Sequence, residues 1–211
     1  MTPYTCNACN ATNSSVLSKP ALIICRQCRA VVHRDEQLKM FELDLARVPD
    51  DWSFVRIGTE FSYNNNTLTV VGRIRFQLRN DYKNFWCAAL RDGAYIWIME
   101  SFASFCILGS TWKEFKQSSE KLRAGQLITL EGNLKIRGEY VEKCEEVTFE
   151  GELGLMKFPE ASFFFIQCSN NQNQTAVFFI KPSYDIEYLE GGKIDVEKLN
   201  LKNTVTWDEW K

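Results

Sequence analysis

Cys6, Cys9, Cys25 and Cys28 follow the pattern C-x2-C-x15-C-x2-C, whose chemistry is metal coordination. Each C-x-x-C turn sets two sulfurs on one side of a tight knuckle. Two knuckles together supply the tetrahedron of thiolates that Zn²⁺ accepts. A zinc ribbon over residues 1–34 is therefore expected, with these four cysteines as ligands and zinc as the cofactor. Four thiolates around a dication leave a charge of about −2, which Arg26, Arg29 and Arg34 are placed to offset. A complete set of four protein ligands has no position for water or substrate, so the expected role of the metal is structural. The competing chemistry, a redox C-x-x-C, needs a thioredoxin-like βαβ setting that the flanking sequence lacks. His33, the only histidine, follows Cys28 by five residues and is expected to be a bystander.

Elsewhere, residues able to do chemistry are sparse. Cys87, Cys106, Cys144 and Cys168 lie in or beside apolar runs and read as small buried hydrophobes. With the single histidine in the ribbon, a Cys-His or Ser-His nucleophilic pair is hard to build. Glu139, Glu142, Glu145, Glu146, Glu150 and Glu152, with Lys143 among them, read as a solvated strand face. Catalysis is not expected. Arg73, Arg75 and Arg79, with Lys83 beyond them, form a basic stripe near Tyr82, Phe85 and Trp86. Such a stripe can contact phosphates while aromatics stack on bases, or it can pair with an acidic neighbouring strand within 139–152. Charge favours the second reading. Residues 1–34 carry four basic and no acidic residues, which leaves 21 basic against 27 acidic in the remainder, a balance of −6. Trp207 and Trp210, in TVTWDEWK, either pack as a last strand or anchor a protein partner.

The elements that must position these residues are mostly strands. In TLTVVGRIRFQLR, Leu68, Val70, Ile74, Phe76 and Leu78 alternate with Thr67, Thr69, Arg73, Arg75 and Arg79, which predicts a long half-buried strand with a bulge at Gly72. FWCAAL and AYIWIM flank Asp92-Gly93, a favoured hairpin turn, and SFFFIQC and TAVFFIK flank a second hairpin at 170–174. One helix is expected at 112–123, with Trp112, Phe115 and Leu122 inward. The spacing Leu68-x-Val70-x-Gly72-x-Ile74-x-Phe76 recurs as Ile128-x-Leu130-x-Gly132-x-Leu134-x-Ile136, which suggests two similar bent strands. The expected fold is mainly β. An N-terminal ribbon (1–34) and a connector (35–56), helix or strand at MFELDL, precede a β-rich body (57–206) of one or two small barrel- or sandwich-like units. If there are two, they divide as 57–111 and 124–200, and a tail (207–211) closes the chain. The longest apolar runs, 85–90 and 94–99, are six residues each, far short of the ~20 needed to span a bilayer. The first residues lack a secretory pattern, so a cytoplasmic protein with reduced thiols is expected.

The motifs IGTEFSYNNNTLTVVGRIRF, LRDGAYIWIME and VTFEGELG, in that order, resemble a bacterial family known as domain of unknown function 4178. The correspondence rests on Ile57, Gly58 and Thr59, on residues 70–73, on Asp92, Gly93 and Trp97, and on residues 149–153. Many members carry an N-terminal C-x-x-C ribbon in the same place. This chain departs from them in having NFWCAAL in place of a Trp-x-Glu-Trp element, and Asn10 and Arg29 where glycines follow the knuckles. The resemblance implies an accessory protein of bacterial envelope-stress systems that include membrane-remodelling coat proteins, and it brings no catalytic residues. The expected function is therefore that of a non-enzymatic adaptor binding another protein, one component of a membrane-stress assembly. The alternative is a single-strand nucleic-acid binder using the ribbon and the basic strand, with Arg26, Arg29, Arg73, Arg75, Arg79 and Lys83 as contacts.

Overall fold

The computed structural model describes residues 2–35, 48–49, 51–102, 104–155, 163–183, 185–206 and 209. The expected MFELDL element of the connector and the expected anchors Trp207 and Trp210 lie outside the described residues. The chain is mainly β, as its period-two patterning requires. The ribbon is two hairpins, β1 (Thr2–Thr5) with β2 (Thr12–Ser15) and β3 (Leu22–Ile24) with β4 (Val31–Arg34).

The body is a ring of eight antiparallel strands. β6 (Asn66–Leu78), β7 (Tyr82–Ala89), β8 (Tyr95–Ser101) and β9 (Ser104–Leu108) form a meander. β12 (Lys135–Leu153), β13 (Phe164–Ser169), β14 (Gln174–Ile180) and β15 (Ile186–Ile194) form a second. β15 joins β9 at one seam and β12 joins β6 at the other, so the two expected halves share one closed barrel. β5 (Glu60–Tyr63) extends the sheet beside β6, while β10 (Lys113–Glu114) and β11 (Leu127–Thr129) add short pairings to β15 and β12. The hairpins expected at Asp92-Gly93 and at 170–174 are present, closed by Leu90 N–H to Ala94 O and by Asn170 N–H to Gln174 O.

Alternation then sorts three cores. Phe76, Phe85, Phe163, Phe165 and Phe179 fill the barrel interior with Trp97, Met99 and Leu189. Phe76 makes ring contacts with Phe85 at 5.0 Å, Phe163 at 5.3 Å and Phe179 at 5.7 Å. Outside one wall, Phe61, Leu68, Val70, Trp86, Ile98 and Leu199 cluster, and outside the other, Phe115, Leu122, Ile128, Phe178 and Tyr188. The ribbon is welded to the barrel. Leu17, Ala21, Leu22 and Ile24 belong to the interior cluster, and β3 pairs with the end of β12 through Ile23 and Leu22.

Four expectations are corrected. The bulge falls at Gly72, as predicted, but it switches faces: Leu68 and Val70 point to the outer cluster, whereas Ile74, Phe76 and Leu78 point inward. The five do not share one side because an extra residue re-phases a period of two. The glycine itself is required by close approach, since a Cβ on Gly72 would lie 2.2 Å from Glu152 O. Residues 112–123 form no helix but a two-residue strand and a 3₁₀ turn at Ser119–Lys121. Their inward residues nonetheless hold, because Phe115 N–H bonds Ile186 O and carries Phe115 onto Phe178. The repeat is not structural either, because Gly132 sits at φ 71 in a 3₁₀ turn, not in a bent strand. Finally, Lys83 opposes the interior Phe76 and shares the inward row with Phe85, so it is not on the arginine face.

Candidate metal centre and its surroundings

The two knuckles repeat one backbone geometry. Asn10 N–H donates to Cys6 O at 2.8 Å and Arg29 N–H to Cys25 O at 2.9 Å. Cys6 N–H and Cys25 N–H donate onward to Ala11 O and Ala30 O. Each turn needs a left-handed residue just after its second cysteine, supplied by Asn10 (φ 57) and Arg29 (φ 65). Asparagine adopts that region readily, whereas arginine bears a steric cost of about 1 kcal/mol. Arg29 is tied down by its guanidinium, which donates from Nη2 to Phe149 O on β12 at 2.9 Å.

The four sulfurs lie within 4.8 Å of one another and form a group that could hold a metal ion. Cys6 Sγ is 3.5 Å from Cys28 Sγ, and Cys9 Sγ is 3.7 Å from Cys25 Sγ. A tetrahedron with metal–sulfur bonds of about 2.3 Å has edges of about 3.8 Å, so the set is close to ligating size. Backbone N–H groups of Cys28 and Gln27 face the Cys25 sulfur and bring its thiol down to about 6. Those of Ala8 and Cys9 lower that of Cys6. Cys9 accepts from Ala11 N–H, yet protons shared with Cys28 and burial push it up to about 12. Asn13 was not anticipated as a neighbour of the site: its Nδ2 lies 3.7 Å from Cys25 Sγ. His33 stands apart from the sulfurs, its ring 5.5 Å from that of Tyr4.

The ribbon meets the barrel at Glu152. Its carboxylate, 3% exposed, accepts the Ser15 hydroxyl, Val16 N–H at 2.8 Å and Leu17 N–H at 2.7 Å. This corrects the expectation of a solvated acid: a strand-face position becomes an interior one when another element packs over it. The Asp92-Gly93 turn is the second joint, since Ser18 N–H donates to Gly93 O at 3.0 Å.

The expected basic contacts separate into distinct settings. Arg26 and Arg79 are exposed, and Arg34 ends β4 half-buried. Arg73 and Arg75 are 8% and 7% exposed on the outer face of β6. Arg73 Nε donates to Glu150 Oε1 across the strand at 2.6 Å. Lys83, 3% exposed, contacts Asp81 and Ser101. Cys144 and Cys168 are pushed up to about 12 by burial, and Cys87 is pushed up by burial as well. Among the described residues no helix is long and apolar enough to cross a membrane. Comparison with models of protein families, with curated proteins and with solved structures found no match to this chain.

Proposed function

We propose that the protein is a non-enzymatic adaptor that binds another protein, and that zinc fills the four-cysteine site as a structural ion. The observation that carries this reading is the filled interior. Phe76, Phe85, Phe163, Phe165 and Phe179 occupy the volume in which a barrel would otherwise hold a small ligand. A packed barrel works through its surface. A closed four-sulfur set supports the same conclusion, because an ion held there has its coordination completed by protein. The buried thiols, with their raised pKa values, favour packing roles over nucleophilic ones. The resemblance to the domain of unknown function 4178 family suggests a membrane-stress assembly as the setting.

The test is a pull-down from native lysate with the full chain and with a variant carrying Trp207→Ala and Trp210→Ala. A specific partner lost by the variant supports the tail as anchor, and a partner retained by both moves the contact to the barrel surface. Elemental analysis should give one zinc per chain. Salt-sensitive retention on oligonucleotides, abolished by Arg73→Glu with Arg75→Glu, would instead favour the nucleic-acid reading.

A further inference from the structure

The outer face of β6 and β7 builds a seat for a carboxylate, and the chain fills that seat from within. Asp51 Oδ2 accepts from Arg73 Nη1 at 3.0 Å, Arg75 Nη1 at 3.2 Å and Asn84 Nδ2 at 2.8 Å. The donors are held by the barrel. Arg73 is fixed by Glu150 and lies 4.7 Å over the Trp86 ring, while the Arg75 guanidinium lies 3.9 Å over Tyr82. The acceptor comes from residues 51–55, which belong to no strand. That segment is further held by Ser53 Oγ donating to Glu100 Oε2 at 2.8 Å.

The row that carries the seat also carries idle polar atoms. Thr148, Arg75, Asn84 and Glu100 stand directly opposite one another across β12, β6, β7 and β8. In this single row Thr148 Oγ1, Arg75 Nε and Asn84 Oδ1 are all buried and find no hydrogen-bond partner among the described residues. Buried orphans are rare in folded proteins, and three in one row single this face out. The Nε edge of a guanidinium is half of the fork that grips an oxyanion through two bonds, and here that half is idle. Beside the seat opens a cleft of about 510 Å³, lined by Asp51, Trp52, Ser53, Arg73, Trp86 and Glu150. Trp52 is 77% exposed at this cleft.

We propose that Arg73, Arg75 and Asn84 form a binding site for an acidic segment of a protein partner, whose carboxylate takes the place of Asp51 when residues 51–55 are displaced. This deepens the protein-binding reading and rests on it. A carboxylate fits better than a phosphate for two reasons. The resident group is a carboxylate, and Glu150 beside the seat would repel a second negative charge. Asp51 competes from the same chain, at an effective concentration on the order of millimolar. A partner must therefore bring further contacts, and the cleft with Trp52 offers room for them.

The experiment uses the full-length protein, its Asp51→Asn and Asp51→Ala variants, and a labelled peptide copying residues 49–55 (PDDWSFV), read by fluorescence anisotropy. Control peptides carry Asn at both acidic positions, or phosphoserine at the second. Both variants should bind the acidic peptide at least about tenfold more tightly than the wild type, with affinity falling as salt rises. The Asn control should not bind, and adding Arg75→Gln should abolish the gain. A folded Asp51→Asn protein with no gain overturns the proposal, and preference for the phosphoserine peptide reassigns the seat to phosphate. If neither variant folds, excess peptide added to wild type should speed hydrogen exchange at residues 51–55, and unchanged exchange overturns the idea. A partner captured in the pull-down without any peptide binding would sink the seat while leaving the adaptor reading intact.

Discussion

Replacing Glu152 with Gln should loosen the ribbon from the barrel without removing its metal ligands. Two oxygens of the native carboxylate receive three donors, and both backbone donors come from the turn that follows β2. An amide keeps one oxygen and presents an NH₂ group to at least one N–H. One charge-assisted bond, worth about 1.5–3 kcal/mol, is then lost outright, and the remaining bonds fall to neutral strength. The expected total is about 3 kcal/mol, which for a chain of this length is a fall in Tm of roughly 6–12 °C. Hydrogen exchange should localise the effect, with faster exchange at residues 15–24 and 149–154 and little change in β13 and β14. Zinc content should remain that of the wild type, because no sulfur moves. A Tm within about 1 °C of wild type, with unchanged exchange at residues 15–24, would refute the reasoning that this buried carboxylate docks the ribbon.

Three further outcomes follow from the same geometry. Gly72→Ala should cost more than about 3 kcal/mol, read as loss of soluble protein or a large fall in the denaturant midpoint, since its Cβ would meet the Glu152 backbone at 2.2 Å. Burial raises the Glu100 carboxyl above its ordinary range, outweighing the bonds from Trp86, Ser53 and Asn84 that lower it. The folded state therefore holds that proton more firmly than the unfolded chain. The stability it contributes is full below the ordinary carboxylate value and is lost as pH rises through the raised one. Urea midpoints from about pH 4 to about pH 7 should accordingly shift in favour of Glu100→Gln relative to wild type as pH increases. Chelation under reducing conditions should lower Tm by at least ~10 °C and speed exchange throughout residues 2–34, because Leu17, Leu22 and Ile24 lose the frame that presses them into the core.

The parts legible in the sequence are those fixed by neighbours along the chain. Cysteine spacing located the sulfur cluster, and the turns at Asp92-Gly93 and 170–174 fixed two hairpins, because both depend on residues a few positions apart. What escaped depends on distant partners. Asp51 lies in an irregular stretch more than 20 residues from Arg73 and Arg75, and nothing local marks it as their counter-ion. Glu152 reads as one more acid in a charged strand until the ribbon covers it. The change of face at Gly72 escaped for a different reason. The glycine was visible, but whether a bulge preserves or inverts the alternation is decided by the facing strand, where Gly151 opposes Gly72.

The last turns of β12 show why these features belong together. Phe149 points into the barrel while its carbonyl accepts Arg29 from the second knuckle. Glu150, on the opposite face, fixes Arg73 in the carboxylate seat. Gly151 brings β6 close enough to close the ring, Glu152 grips the turn after β2, and Leu153 accepts Ala21 N–H while packing into the core. Five consecutive residues thus serve the cysteine ribbon, the barrel seam and the arginine seat by alternating in direction, with Gly151 at φ 73 between Glu150 and Glu152. A shift of one residue in this register would exchange the inward Phe149 and Leu153 with Glu150 and Glu152, burying two carboxylates in an apolar core. That penalty locks the register, so the ribbon and the arginine face are held in a fixed order along one strand.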